Sequence, residues 1–153
     1  MITLAEKSLT LEEINKLSSK YFIDGRIDEL WEILSVEIGD KLLTAKIRMK
    51  SIYISPTDIG GFHLTQLSTY EFLSQLTIIY AHILGGYTEK TKECWMRKSS
   101  ITCRRAIRNP NNITVKMELA SLKNIKGQVL ITTKSKIYDE NGLFEGMITG
   151  VIS

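Results

Sequence analysis

Proline and cysteine are nearly missing from this chain, each occurring twice in 153 residues. Cys94 and Cys103 are too few and wrongly spaced for a disulfide framework or a zinc site. No bound metal is therefore expected, and a reduced, cytoplasmic setting is. Long apolar runs are lacking too. Leu76 to Leu84 is broken by Thr77 and His82, far short of the roughly 20 residues of a membrane span. The opening residues, Met1 to Glu6, show no basic start, apolar stretch or cleavage site, so no secretory signal is expected. Charge of one sign is scarce: 20 Lys and Arg face 17 Asp and Glu, for a formal +3. A nucleic-acid partner calls for a larger, clustered excess and is not expected. Repeats, low-complexity stretches and an internal linker are absent, which predicts one domain over residues 1–153.

What is present is ordinary globular composition, 43% apolar and 24% charged, enough for a core without staples. Thr10 and Glu13 form a capping-box pair ahead of Leu11 to Tyr21, which predicts a short helix closed by Gly25 and hence an N-terminal helical extension over about 1–26. A strand from about Leu30 to Ile38 meets a Gly39-Asp40 turn. Beyond it Ala45, Ile47 and Met49 alternate with Thr44, Lys46, Arg48 and Lys50, the period of a half-buried strand continuing to about Ile54 before Pro56. After the Gly-rich loop Asp58 to His63, Leu67, Leu73, Leu76, Tyr80 and Ile83 recur at helical spacing. With Thr65 or Ser68 as cap and Gly85-Gly86 as terminator, this predicts a largely buried helix from about Ser68 to Leu84. Alternation returns over Ser99–Ile107, Ile113–Leu119, Val129–Ile137 and Leu143–Ile152. Turns intervene at Asn109 to Asn112, Lys126-Gly127 and Asp139 to Gly142. A single long helix cannot cover both faces of such a sheet, but a curled sheet can wrap it, so the expected class is α+β.

Chemistry concentrates between Gly61 and Gln75, where a Gly-rich loop, a histidine, a helix start and a carboxylate meet. Helix-start N–H groups can polarise a carbonyl, and a nearby Glu or His can direct water or move a proton. Each residue also has a plainer role. Glu71 can close a capping box with Ser68, His63 can be satisfied by loop backbone, and Gln75 can orient Glu71 or answer a carbonyl. Tyr53, Tyr70 and Tyr80 fit packing, and His82 fits the helix C-terminus. Arg97, Lys98, Arg104, Arg105 and Arg108 form either a solvated strand surface or an anchor for phosphates or an acidic partner.

The Ile33 to Met49 segment, the Gly61-Phe62-His63 loop, and Glu71 with Gln75 four residues on resemble the hotdog superfamily of acyl-thioester enzymes. That superfamily folds as a curled antiparallel sheet around one central helix. Ile101 to Ala106 resembles the strand that follows in β-hydroxyacyl carrier-protein dehydratases. Seven residues separate His63 from Glu71, with no proline among them. This is unlike the dehydratases, which carry a Pro-Gly pair there, and closer to FcoT-like long-chain acyl-CoA thioesterases; the AvrD-like proteins are more distantly similar. The resemblance implies a thioester hydrolase of fatty-acid or secondary metabolism acting on acyl-CoA or an acyl carrier protein. Coenzyme A or phosphopantetheine then arrives as part of the substrate, with no separate cofactor. Glu71 would be the base, His63 and Gln75 positioning groups, and Gly61, Phe62, Ser68, Tyr70, Arg104 and Arg105 substrate contacts. It also implies a homodimer or a dimer of dimers. A dehydratase using His63 and Glu71, and a non-catalytic acyl-binding protein, are the alternatives.

Overall fold

The computed structural model describes residues 10–12, 16, 25, 28–39 and 41–153. Most of the helix expected over Leu11 to Tyr21 lies outside the described residues; Leu11, Glu12 and Lys16 within it are helical. Six strands and one long helix follow in the order β1 (Trp31–Gly39), β2 (Leu42–Met49), α1 (Gln66–Leu84), β3 (Cys94–Arg105), β4 (Ile113–Ile125), β5 (Gln128–Tyr138) and β6 (Leu143–Ile152). The strands form one antiparallel sheet in the order β1-β2-β4-β5-β6-β3. This curled sheet around one helix is the hotdog fold, as expected.

Alternation in the sequence becomes a buried inner face. Leu43, Ala45 and Ile47 of β2, Val115 and Met117 of β4, Ile137 of β5, and Phe144 and Ile148 of β6 pack on Phe72, Leu73, Leu76 and Tyr80 of α1. Gly146 of β6 sits beneath the helix, where a Cβ would lie 2.9 Å from Leu73 Cδ1; its missing side chain sets how closely helix and sheet approach. A smaller cluster of Ala81, Ile131 and Ile152 closes the far end.

Several boundaries differ from expectation. β4 runs to Ile125 rather than stopping at Leu119, because β5 pairs with it as far as Gln128, and β3 stops at Arg105 rather than Ile107, whose O accepts from Leu64 N. β2 ends at Met49 rather than continuing to Ile54, because Lys50 and Ser51 turn to donate their N–H groups to Leu30 O. β3 starts at Cys94, five residues before Ser99, because β6 is long enough to pair it back to Cys94–Ile152. The helix starts at Gln66, not Ser68: Thr65, at φ −85° and ψ 157°, accepts from Ser68 N at 3.2 Å. Its far end closes as expected, with Gly85 N donating to Ala81 O and Gly86 taking the left-handed φ of +76°.

Candidate functional site

Moving the helix start forward by two residues changes what Glu71 can be. It no longer stands three residues after the cap but in the second turn, so a capping box with Ser68 is excluded. Instead Glu71 lines a groove of about 400 Å³ between α1 and the chain entering β1. Tyr70, Ser74 and Gln75 form one wall, and Glu29, Leu30 and Trp31 the other. Trp31 Nε1 donates to Glu71 Oε2 at 3.2 Å, and the Trp31 ring meets Phe72 edge-on at 6.0 Å. Trp31 thereby ties the carboxylate to the core. Gln75 is exposed one turn beyond Glu71.

Ser68 is fully buried. Its hydroxyl donates to Glu29 Oε2 at 2.5 Å, and Thr65 Oγ1 donates to the same oxygen at 2.9 Å. Glu29, only 4% exposed, thus sets its side-chain oxygens beside the helix start. With the Ser68 N–H held by Thr65, the Gln66 and Leu67 N–H groups are the first-turn donors that helix geometry leaves without intrahelical acceptors.

His63 belongs to a second cluster. Its Nδ1 lies 2.5 Å from Asp58 Oδ2, while Asp58 Oδ1 accepts from Gly60 N at 2.9 Å. Arg108 Nη1 reaches Asp58 Oδ1 at 3.2 Å and Phe62 O at 3.3 Å. The hydrogen bond from His63 holds the Asp58 carboxyl below its ordinary value against partial desolvation, and Gly60 N–H and Arg108 add to it. An ionised Asp58 can only accept, so the His63 ring donates from Nδ1–H and its neutral tautomer presents Nε2 as an acceptor. Glycine shapes the loop at two positions. Gly61 adopts φ +74°, and a Cβ on Gly60 would overlap the Arg108 guanidinium. Leu64 N donates to Ile107 O at 2.9 Å, and Phe62 is buried in the core, which fixes the loop's exit.

The structure therefore brings together Glu71, Gln75 and Tyr70, and places His63 with Asp58 and Arg108 instead. Gly61 and Phe62 shape the histidine loop. Arg104 and Arg105 are exposed on β3 and line neither cluster; Arg104 Nε pairs with Glu145 Oε2 at 2.8 Å. Sequence reasoning missed Asp58 as the partner of His63, although it stands five residues earlier in the same loop. Glu29 and Trp31 gave no signal, since their contacts cross about 40 residues of chain. Among the described residues no group of three or more His, Cys, Asp and Glu is placed to hold a metal ion. None of the described helices is long and apolar enough to cross a membrane.

No family model matches the chain, and no curated protein matches it. Solved structures do. A thioesterase from Haemophilus influenzae superposes with a TM-score of 0.60 at 17% identity, over 96% of this chain and 92% of that one. A hypothetical thioesterase from Streptococcus pneumoniae, solved with coenzyme A, gives 0.59 at 12% identity, over 82% and 90%. A mutant thioesterase from Pseudomonas aeruginosa gives 0.58 at 14% identity, over 98% of each chain. The likeness is one of fold.

Proposed function

We propose that this protein hydrolyses acyl thioesters, with acyl-CoA or an acyl carrier protein as substrate. The observation that carries the reading is the position of Glu71 in the second helical turn, lining the groove beside Gln75 and accepting a hydrogen bond from Trp31. In this reading the Glu71 carboxylate takes a proton from water, and the hydroxide so formed adds to the thioester carbonyl. The carbonyl oxygen's developing charge faces the Gln66 and Leu67 N–H groups. The tetrahedral species collapses by breaking the C–S bond, and the proton on Glu71 passes to the departing thiolate. Gln75 and Tyr70 orient the substrate along the helix.

Several finer assignments belong to the same proposal. The proline-free spacing between His63 and Glu71 favours FcoT-like thioesterases over dehydratases, and a role in fatty-acid or secondary metabolism goes with it. A reduced cytoplasmic setting agrees with two free thiols, Cys94 and Cys103. A homodimer or dimer of dimers would place a partner's sheet against the helix start.

The His63–Asp58 pair favours one second reading, a hydroxyacyl-thioester dehydratase in which His63 Nε2 moves the proton. Thiol release from an acyl-CoA panel by wild type and Glu71→Gln decides between them. Hydrolysis by wild type, reduced about 10²–10⁴-fold in the variant with the fold intact, supports the first. Hydration of an enoyl thioester without thiol release, lost in His63→Ala, supports the second. Thiol release at wild-type rate in Glu71→Gln overturns the base assignment.

A further inference from the structure

The sheet face turned away from the helix carries a concavity of about 670 Å³, which the thioester reading does not use. Pairing register fixes how its side chains are arrayed. Lys116 of β4 stands directly opposite Lys136 of β5, and Lys136 stands opposite Glu145 of β6. One row along, Lys134 stands opposite Glu118. Like charges directly opposite on one sheet face repel unless something neutralises them. Glu145 is engaged by Arg104 at 2.8 Å, and Lys116, Lys134 and Lys136 are exposed and make no ion pair. Hydroxyls of Ser100, Thr102 and Tyr138 complete the lining.

We infer that this concavity binds a small, multiply charged oxyanion, a polyphosphate or polycarboxylate molecule. The ammonium groups of Lys116 and Lys136 clamp one charged group between adjacent strands, and Lys134 contacts a second. Charge-assisted contacts of this kind are the strong ones, and the volume suits a ligand of small-molecule size.

Titration calorimetry at low salt with inorganic tripolyphosphate and, separately, with citrate tests the site. Saturable binding of at least one probe is expected, weakening as salt rises; which probe binds more tightly tells phosphate from carboxylate chemistry. K116Q/K136Q is expected to weaken it about tenfold or more. K92Q/K123Q, with the same change in net charge elsewhere, is expected to leave it unchanged. If the double variant does not fold, Lys134→Gln alone is expected to weaken binding by about threefold or more. Absence of saturable binding with both probes at millimolar concentration overturns the inference. Equal weakening in the two double variants does so too, since it would show attraction by net charge alone.

Discussion

Four backbone N–H groups converge on the carboxylate of Asp139: those of Arg108 and Asn109 on one oxygen, and those of Asn141 and Gly142 on the other. Partial burial pushes its pKa up, but the bonds from Gly142, Asn109, Asn141 and Arg108 outweigh it and leave the value below the ordinary 3.8. A group whose folded pKa is depressed gives stability that is complete above the unfolded value and lost as pH falls through the folded one. Urea unfolding followed below about pH 4 is therefore expected to show falling stability, less steeply in Asp139→Asn. At neutral pH, Asp139→Ala is expected to cost about 2–3 kcal/mol by the same measurement, since four donors lose one ionised acceptor. The Asp139-Glu140-Asn141-Gly142 turn was readable from its residue types. That its carboxylate also gathers Arg108 and Asn109, about 30 residues back, was not, because turn chemistry reports only local donors. The same limit hid Glu29, whose hydroxyl partners Thr65 and Ser68 looked like rival caps until a distant carboxylate joined them.

At the scale of elements, the start of α1 shows how such a partner decides between near-equal local signals. Thr65 and Ser68 are both good cap types, and Glu71 three residues after Ser68 imitates a capping box. The chain chooses Thr65, which accepts from Ser68 N and donates to Glu29, while Ser68 becomes a buried helix residue. Thr65→Ala is therefore expected to lower stability by about 1–2 kcal/mol in chemical denaturation, and Thr65→Ser by much less. The body of the helix was legible because its apolar spacing is long and regular. The strands were legible because period two reports which face is buried. Their ends were less so: β2 stops at Met49 because Leu30 O competes for the next N–H groups, and β3 reaches back to Cys94 because β6 is there to pair. Period two carries no information about neighbours, so the order that sets β3 beyond β6 had to come from the structure.

For the molecule as a whole, β1 and β3 are the two edges of the sheet. The edge strand β3 is 12 residues long and exposes Trp95 (65%), an apolar surface for a specific partner strand to cover, while Arg97, Lys98, Arg104 and Arg105 oppose non-specific edge pairing. Light scattering coupled to gel filtration is expected to give twice the chain mass or four times it; a monomer at micromolar concentration would count against the dimeric site. The same topology bears on how the chain is made. Residues of β3 leave the ribosome before those of β4 and β5, yet the strand that hydrogen-bonds β3 into the sheet is β6, the last of the six to be synthesised. At about 5–20 residues per second, β3 waits some seconds with both edges open while β1, β2, β4 and β5 can already assemble. The interval in which β3 stands unpaired and open to mispairing is thus set by the synthesis of residues 106–152, the last ten of which close the sheet over an edge that has been waiting for them.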